Sequence, residues 1–372
     1  MRRSNNFSPW RDWKISLIAS MLCRYWGFDH CHKSGAKEDI AVLAEIKQVE
    51  IEHVKIPAAD ALGLDAVMAI YQALRPIMPV AGRGGACQTA PRLIDILDEF
   101  DGLVLDGYGV INVGDGPIEG IKTLLDAAAS KAKPVLVLTN GGSFSAERAF
   151  AKYQDWQLPI ERDDVLSSRD ALVAQLAGSP EASLATNDVI GCFGRVIEPL
   201  AGKNIMIYGR DDDFWTRADA FVFLGAIEWG DSDQAAFEAA MMARPRLVHI
   251  ANPDVTAPQV NDQFSAEPGY WTARMMQQAA IRAIEIDVRW YGKPYQPAFD
   301  LALARMARLL EQPLNRKRIA MVGDSLHTDI LGGNAAGMTS VLVTDHGLFR
   351  SRAALPYYTA CDIRPDWVVN SL

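Results

Sequence analysis

At 372 residues the chain is too long for one small core, and 49% hydrophobic with 22% charged residues is the balance of a folded globular protein. A net charge of -9 excludes nucleic acid and an anionic membrane surface as default partners, while a small anionic substrate held by local cations or a metal stays open. Five scattered cysteines, Cys23, Cys31, Cys87, Cys192 and Cys361, form no C-x-x-C pair, which favours reduced thiols and a cytoplasmic setting.

The start, "MRRSNNFSPWRDWKISLIASMLCRYWG", has early arginines and a short apolar stretch. No small-residue cleavage site follows it, so an amphipathic helix packed on the main body is expected rather than a secretory leader. No apolar run reaches the ~20 residues of a membrane span. His30, Cys31 and His32 lack a second pair at zinc-site spacing and read as a surface turn. "EDIAVLAEIKQVEIEHVKI" and "DALGLDAVMAIYQALRPI" carry apolar residues at mixed three and four spacing, which predicts helices. "RPIMPVAGRGGACQTAP" reads as a linker, so residues 1–91 form a helical extension with its linker. Met78 stands just before that linker, and the extension reads as separable from the rest.

From residue 92 the rhythm becomes strand, helix, strand. "LIDILDEF" predicts a helix, "GLVLD" a buried strand, "PIEGIKTLLDAAASKA" a helix opening near Pro117 and Glu119, and "PVLVLTN" another buried strand. Residues 166–289 form a second block with strands in "NIMIYG", "AFVFLG" and "RLVHIANPD". The first rhythm resumes with "FDLALARMARLL", "RIAMVGD", "TDILGGNAAG", "TSVLVTD" and "PDWVVNSL". Continuous apolar strands alternating with helices predict a parallel sheet covered on both faces. The expected architecture is a three-layer, Rossmann-like α/β core from residues 92–165 and 290–372, with an inserted α/β cap at 166–289.

In such sheets ligands gather beyond the carboxyl ends of the strands. Asp106 follows "LVL" in a turn marked by Gly107 and Gly109, Thr139 and Asn140 follow "VLVL", and Asp324 follows "IAMVG" with Asp329 shortly after. Lys293 lies in "WYGKPYQPAFD". Taken singly, each is as readily a helix cap, a turn residue or a surface charge. Together they make a coherent set. Asp106, Asp324 and Asp329 supply oxygen to a hard divalent cation. Thr139 and the amides after it, from Asn140 and Gly141, can donate to phosphate oxygens, and Lys293 can neutralise charge on a nucleophile. Asp106 can then attack phosphorus.

"LVLDGYGVI", "VLTNGG", "GKPYQPAFD" and "VGDSLHTDILGGNAAG" resemble the four ordered motifs of the haloacid dehalogenase superfamily, over roughly residues 92–372. The spacing, and "ANPD" ahead of the third motif, resemble class IIA, in which a large cap lies between the second and third motifs. The resemblance implies a nitrophenyl-, pyridoxal- or sugar-phosphate phosphatase that uses Mg2+ on a small phosphorylated metabolite, and it is compatible with a homodimer. It implies that Asp106 is the nucleophile, Thr139 and Lys293 the residues of the second and third motifs, and Asp324 and Asp329 the acids of the fourth. The backbone carbonyl of Tyr108 is implied as a metal ligand. Cap residues set substrate choice in that class, which makes Asn252, Asp254 and Glu267 candidates at the mouth; each is equally readable as a turn or helix cap.

The side chain of Tyr108 departs from the pattern. Family phosphatases carry an aspartate there, which protonates the leaving group and then activates water. General acid–base help is worth roughly two to four powers of ten, or about 3–5 kcal/mol. Asp-x-Tyr also resembles the dehalogenases themselves, in which halide leaves carbon without a proton. Two further acids facing Asp106 would repel it without a cation among them, so a metal-dependent phosphoryl site is preferred. A protein that binds a phosphorylated ligand without turnover is the third reading. His327 is expected at the surface, and "RDDD", Arg210 to Asp213, as a solvated loop.

Overall fold

The computed structural model describes residues 50–80, 84–178, 188–194, 197–200, 204–259 and 263–372. The readings of the leader-like start and of His30, Cys31 and His32 lie outside these residues, as does most of the first expected helix.

After a 3-10 turn at Ala59–Ala61, the helix Leu64–Leu74 buries eight of its eleven residues. The chain then runs through β1 (Gln88–Arg92), β2 (Gly102–Leu105), a short antiparallel ladder of β3 (Asn112–Val113) and β4 (Gly116–Pro117), β5 (Val135–Thr139) and β6 (Val165–Ser167). β7 (Ile190–Phe193), β8 (Ile205–Ile207), β9 (Ala220–Phe223) and β10 (Val248–Ile250) follow, with an antiparallel pair, β11 (Thr256–Pro258) and β12 (Phe264–Ala266), before β13 (Val288–Trp290). β14 (Ile319–Gly323), β15 (Thr339–Val343) and β16 (Trp367–Ser371) complete the order.

The larger sheet has seven parallel strands in the order β1-β16-β15-β14-β2-β5-β6. All four residues of β2 and all five of β14 are buried, which explains their unbroken apolar sequences. Leu103 and Leu105 pack on one face with Leu124 and Leu125, whereas Val104 packs on the other with Phe299 and Met306. Side chains alternate across a strand, so this split defines a sheet between two helical layers. The second sheet, also parallel, has the order β13-β10-β9-β7-β8 and an aromatic core in which Phe193 lies 4.6 Å from Phe237 between ring centroids. The molecule is thus an α/β fold with a Rossmann-like sheet and a second sheet inserted in its sequence.

Three local expectations differ. The stretch read as a linker ends in β1, a polar edge strand paired with β16, whose exposed residues carry no apolar signal. The helix expected from Pro117 starts at Ile121, because Gly120 before it sits at φ 88° and breaks the helical path. "LIDILDEF" forms a 3-10 helix, Leu93–Glu99. The seven-stranded sheet keeps β6 through Ser167, and the inserted sheet runs to Trp290 in β13. No helix among the described residues is long and apolar enough to cross a membrane.

Candidate active site

β2, β5 and β14 are neighbours in the sheet, so their carboxyl ends bring Asp106, Thr139 and Asp324 together although the sequence separates them. A π-helical turn, Leu326–Ile330, carries Asp329 back beneath Gly323. A Cβ at Gly323 would overlap the Asp329 carboxylate, which is why that strand must end in glycine. At Gly347, with φ 82°, a Cβ would likewise run into Asp324.

Lys293 lies fully under the site, 1% exposed, with Nζ 2.6 Å from Asp106 Oδ1 and 2.7 Å from Asp329 Oδ1. Burial disfavours its charge, but Asp106, Asp329 and Asp254 outweigh this and hold the ammonium above its ordinary range. Asp106 Oδ1 also accepts from the Gly107 amide at 2.6 Å. Asp324 Oδ2 accepts from Leu348 N–H at 2.9 Å, and Asp329 Oδ2 from Ser325 N–H at 3.0 Å. Ligand oxygens of Asp106, Asp324 and Asp329 all lie within 4.8 Å of one another. Burial raises the pKa of Asp106 and of Asp324; Lys293 opposes this, while the neighbouring carboxylates push both up. Three hard oxygen donors with mutual repulsion fit a divalent cation such as magnesium, which would relieve that repulsion.

Asn140 joins the two halves of the site. Its Oδ1 accepts from Lys293 N–H at 2.7 Å, while its Nδ2 donates to Lys293 C=O at 3.0 Å and to Asp254 Oδ1 at 2.8 Å. Asp254 N–H donates to Asn252 Oδ1 at 2.9 Å, and Asn252 Nδ2 donates to Glu267 at 3.3 Å. Burial pushes the Asp254 carboxyl up to about 8. A cavity of about 230 Å³ is lined by Asp106, Tyr108, Thr139, Asn140, Gly141, Asn252, Asp254, Glu267 and Asp324. Asp329 and Lys293 are buried, and Lys293 links Asp329 to Asp106.

A model of haloacid dehalogenase-like hydrolases matches residues 103–212, and a second model of HAD-like hydrolases matches residues 290–372, together spanning the four motif positions. The chain belongs to the haloacid dehalogenase-like hydrolases. Within this family its cap lies between the second and third motifs, the class IIA arrangement. The chain is 30% identical over 252 residues to D-glycerol 3-phosphate phosphatase of Mycobacterium tuberculosis, covering 67% of this chain and 64% of that protein. A second relative, from Caenorhabditis elegans, is 25% identical, and the chain spans 48% of its length. The crystal structure of glycerol phosphate phosphatase from Mycobacterium tuberculosis in complex with magnesium is similar at TM-score 0.55 and 26% identity, over 74% of this chain and 76% of that one. The fold is shared with a protein described as a possible sugar phosphatase from Cytophaga hutchinsonii, at TM-score 0.61 and 22% identity, over 77% of this chain and 98% of that one.

In this haloacid dehalogenase-like chain, Tyr108 commits its phenol oxygen to the Gly114 amide, 3.0 Å away in the β3–β4 turn. Lys152, from the helix Ala146–Asp155, also lines the cavity and donates to Asn112 Oδ1 at 3.0 Å in the same hairpin. Burial lowers its pKa, with Asp106 opposing. Sequence reasoning missed Lys152; its only signal was a position on the helix that follows "VLTNGG". His327, expected at the surface, is instead 0% exposed and stacks on Tyr71 at 4.8 Å with planes 5° apart. The helix Leu64–Leu74 covers it, a contact that local sequence does not encode. In the 210–213 loop, Asp211 Oδ2 accepts from Ile207 N–H at 2.7 Å, a turn-closing bond, and the loop residues are exposed.

Proposed function

We propose that the chain is a magnesium-dependent phosphomonoester hydrolase that works through an aspartyl-phosphate on Asp106, acting on a small phosphorylated metabolite. The observation that carries this reading is the convergence of Asp106, Lys293, Asp324 and Asp329 at one strand-end cavity. The likeness to a glycerol phosphate phosphatase solved with magnesium supports it. Asp106, Asp324, Asp329 and the Tyr108 carbonyl would hold the ion, which would neutralise phosphate charge so that a carboxylate can approach phosphorus.

Lys293 and the Gly107 amide hold Asp106 Oδ1, which presents Oδ2 as the attacking oxygen. The new bond joins Oδ2 to phosphorus, and the ester P–O bond breaks with its electron pair leaving on the ester oxygen. Thr139 and the Asn140 and Gly141 amides receive the non-bridging oxygens. Water then attacks phosphorus, the bond to Asp106 breaks, and inorganic phosphate leaves as the water proton passes to solvent. Asp254 with Asn252 and Glu267 shapes the cap side of the cavity and selects the leaving group.

Tyr108 cannot act as an aspartate would, so the proton for an alkyl leaving group comes from elsewhere. Lys152 is the ammonium group lining the cavity outside the Lys293 cluster, and we assign it that part. Aryl phosphates leave as stable phenolates and depend on it least. The dehalogenase reading is weaker, because three clustered carboxylates suit a cation and not a neutral carbon–halogen bond.

Rapid mixing with p-nitrophenyl phosphate and magnesium tests the reading. A burst of nitrophenolate before steady turnover is expected, lost in Asp106→Asn and on removal of metal by chelator. Tyr108→Asp is expected to raise turnover of alkyl phosphates by about 10–100-fold. Turnover that survives Asp106→Asn, or halide release from haloacids without metal, would reject the proposal.

A further inference from the structure

The helix Leu64–Leu74 lies ahead of both ranges matched by the family models, yet it reaches the site. It packs between the helix Pro268–Ile281, which follows β12, and the helix Leu355–Cys361 of the larger α/β layer. On one side Gln72 Nε2 donates to Cys361 C=O at 3.3 Å and Tyr357 Oη to Asp65 at 2.9 Å. On the other, Tyr270 Oη donates to Pro57 C=O at 2.7 Å, and Gln277 Nε2 donates to Val54 C=O at 2.7 Å. The segment is therefore tied both to the cap and to the seven-stranded layer.

Tyr71 stands at the centre of this strap, 1% exposed. Its ring stacks on His327, whose two ring nitrogens have no hydrogen-bond partner among the described residues, so the stack is a contact that holds the imidazole without polar help. Its Oη accepts from Val255 N–H at 3.0 Å, in a buried place where that amide would otherwise go unmet. His327 is two residues before Asp329, which pairs with Lys293. Val255 follows Asp254, which Asn140 ties to Lys293. Contacts and short stretches of chain thus close a ring: Tyr71, His327, Asp329, Lys293, Asn140, Asp254, Val255 and back to Tyr71.

We propose that Tyr71 is a positioning residue of the site, joining the cap loop at Asp254 to the fourth-motif turn at Asp329, so that the segment 50–78 completes the active site from outside the family's matched residues. For its assay, though not for its geometry, the proposal rests on the phosphatase reading. Removal of the ring frees both attached segments, whereas removal of the hydroxyl alone frees only the cap loop.

Hydrogen exchange followed by mass spectrometry on the full chain reads this directly. In Tyr71→Leu, peptides covering 252–258 and 324–330 are expected to exchange at least 10-fold faster, with 190–193 unchanged. In the milder Tyr71→Phe, only 252–258 is expected to change. Well below the melting temperature, Tyr71→Leu is expected to lose at least 10-fold in kcat on p-nitrophenyl phosphate, and Tyr71→Phe to raise KM with a smaller loss in kcat. Unchanged exchange in 252–258 in both variants, or wild-type kcat and KM in a folded Tyr71→Leu, would overturn the proposal. If Tyr71→Leu does not fold, Tyr71→Phe alone decides, through its 252–258 exchange. An inert wild-type enzyme with the expected exchange pattern would sink the phosphatase reading and leave the positioning role standing.

Discussion

Tyr108 and Lys152 share one hairpin, the first through the Gly114 amide and the second through Asn112. Both also line the cavity, so Lys152, the proposed proton donor, shares it with the tyrosine that replaces the family's aspartate. Lys152→Met is expected to lower kcat on alkyl phosphates by about 10–100-fold and on p-nitrophenyl phosphate by much less; parallel steady-state assays check the contrast. Away from the site, His249 is buried in the second sheet with Nδ1 2.6 Å from Tyr291 Oη, and burial pushes its pKa down to about 4. The folded state then holds fewer protons than the unfolded state between about pH 6.5 and 4, so this contribution is whole above 6.5 and is lost as pH falls. The full loss is about 3 kcal/mol. His249→Phe is expected to flatten the fall in stability across that window, read by urea denaturation at stepped pH. Asp106, Thr139 and Asp324 were marked by strand ends, whereas Lys293 and Asp329 were singled out by the motif resemblance. Tyr71 and Lys152 were not legible, because a lone Tyr or Lys on a helix carries no mark of what it faces.

The strands that carry Asp106 and Asp324 to the site have the simplest sequences. β2 and β14 are buried on both faces, and their unbroken apolar runs announce them. β1 is a polar edge strand containing Pro91, and nothing in its composition distinguishes it from a linker. The π-helical turn Leu326–Ile330 was legible only as a turn before a helix, although it is the device that swings Asp329 under β14. Gly323 permits that approach. Gly323→Ala is expected to destabilise the fold by about 1–3 kcal/mol and to weaken the Asp329–Lys293 pair. Chemical denaturation and a matched loss of kcat check it.

On the scale of the molecule, the sequence rhythm was enough to foresee an α/β core with a second α/β block inserted in it, while the proposed bridging role of residues 50–78 depends on contacts more than two hundred positions away, such as Tyr270 to Pro57. The reading of the extension as separable is at odds with the eight buried residues of Leu64–Leu74. Limited proteolysis is therefore expected to leave no stable fragment beginning near residue 79, and deletion of 50–78 is expected to expose Val255 and His327 and to yield aggregated protein; fragment masses and size-exclusion profiles check both.

β1 lies beside β16, with Gln88 opposite Trp367 and Arg92 opposite Ser371. During synthesis, this strand must wait, unpaired, while the second sheet and the rest of the larger one are translated. Its polar side chains suit that wait, since a greasy ribbon left open for so long would invite neighbours on the polysome to stick.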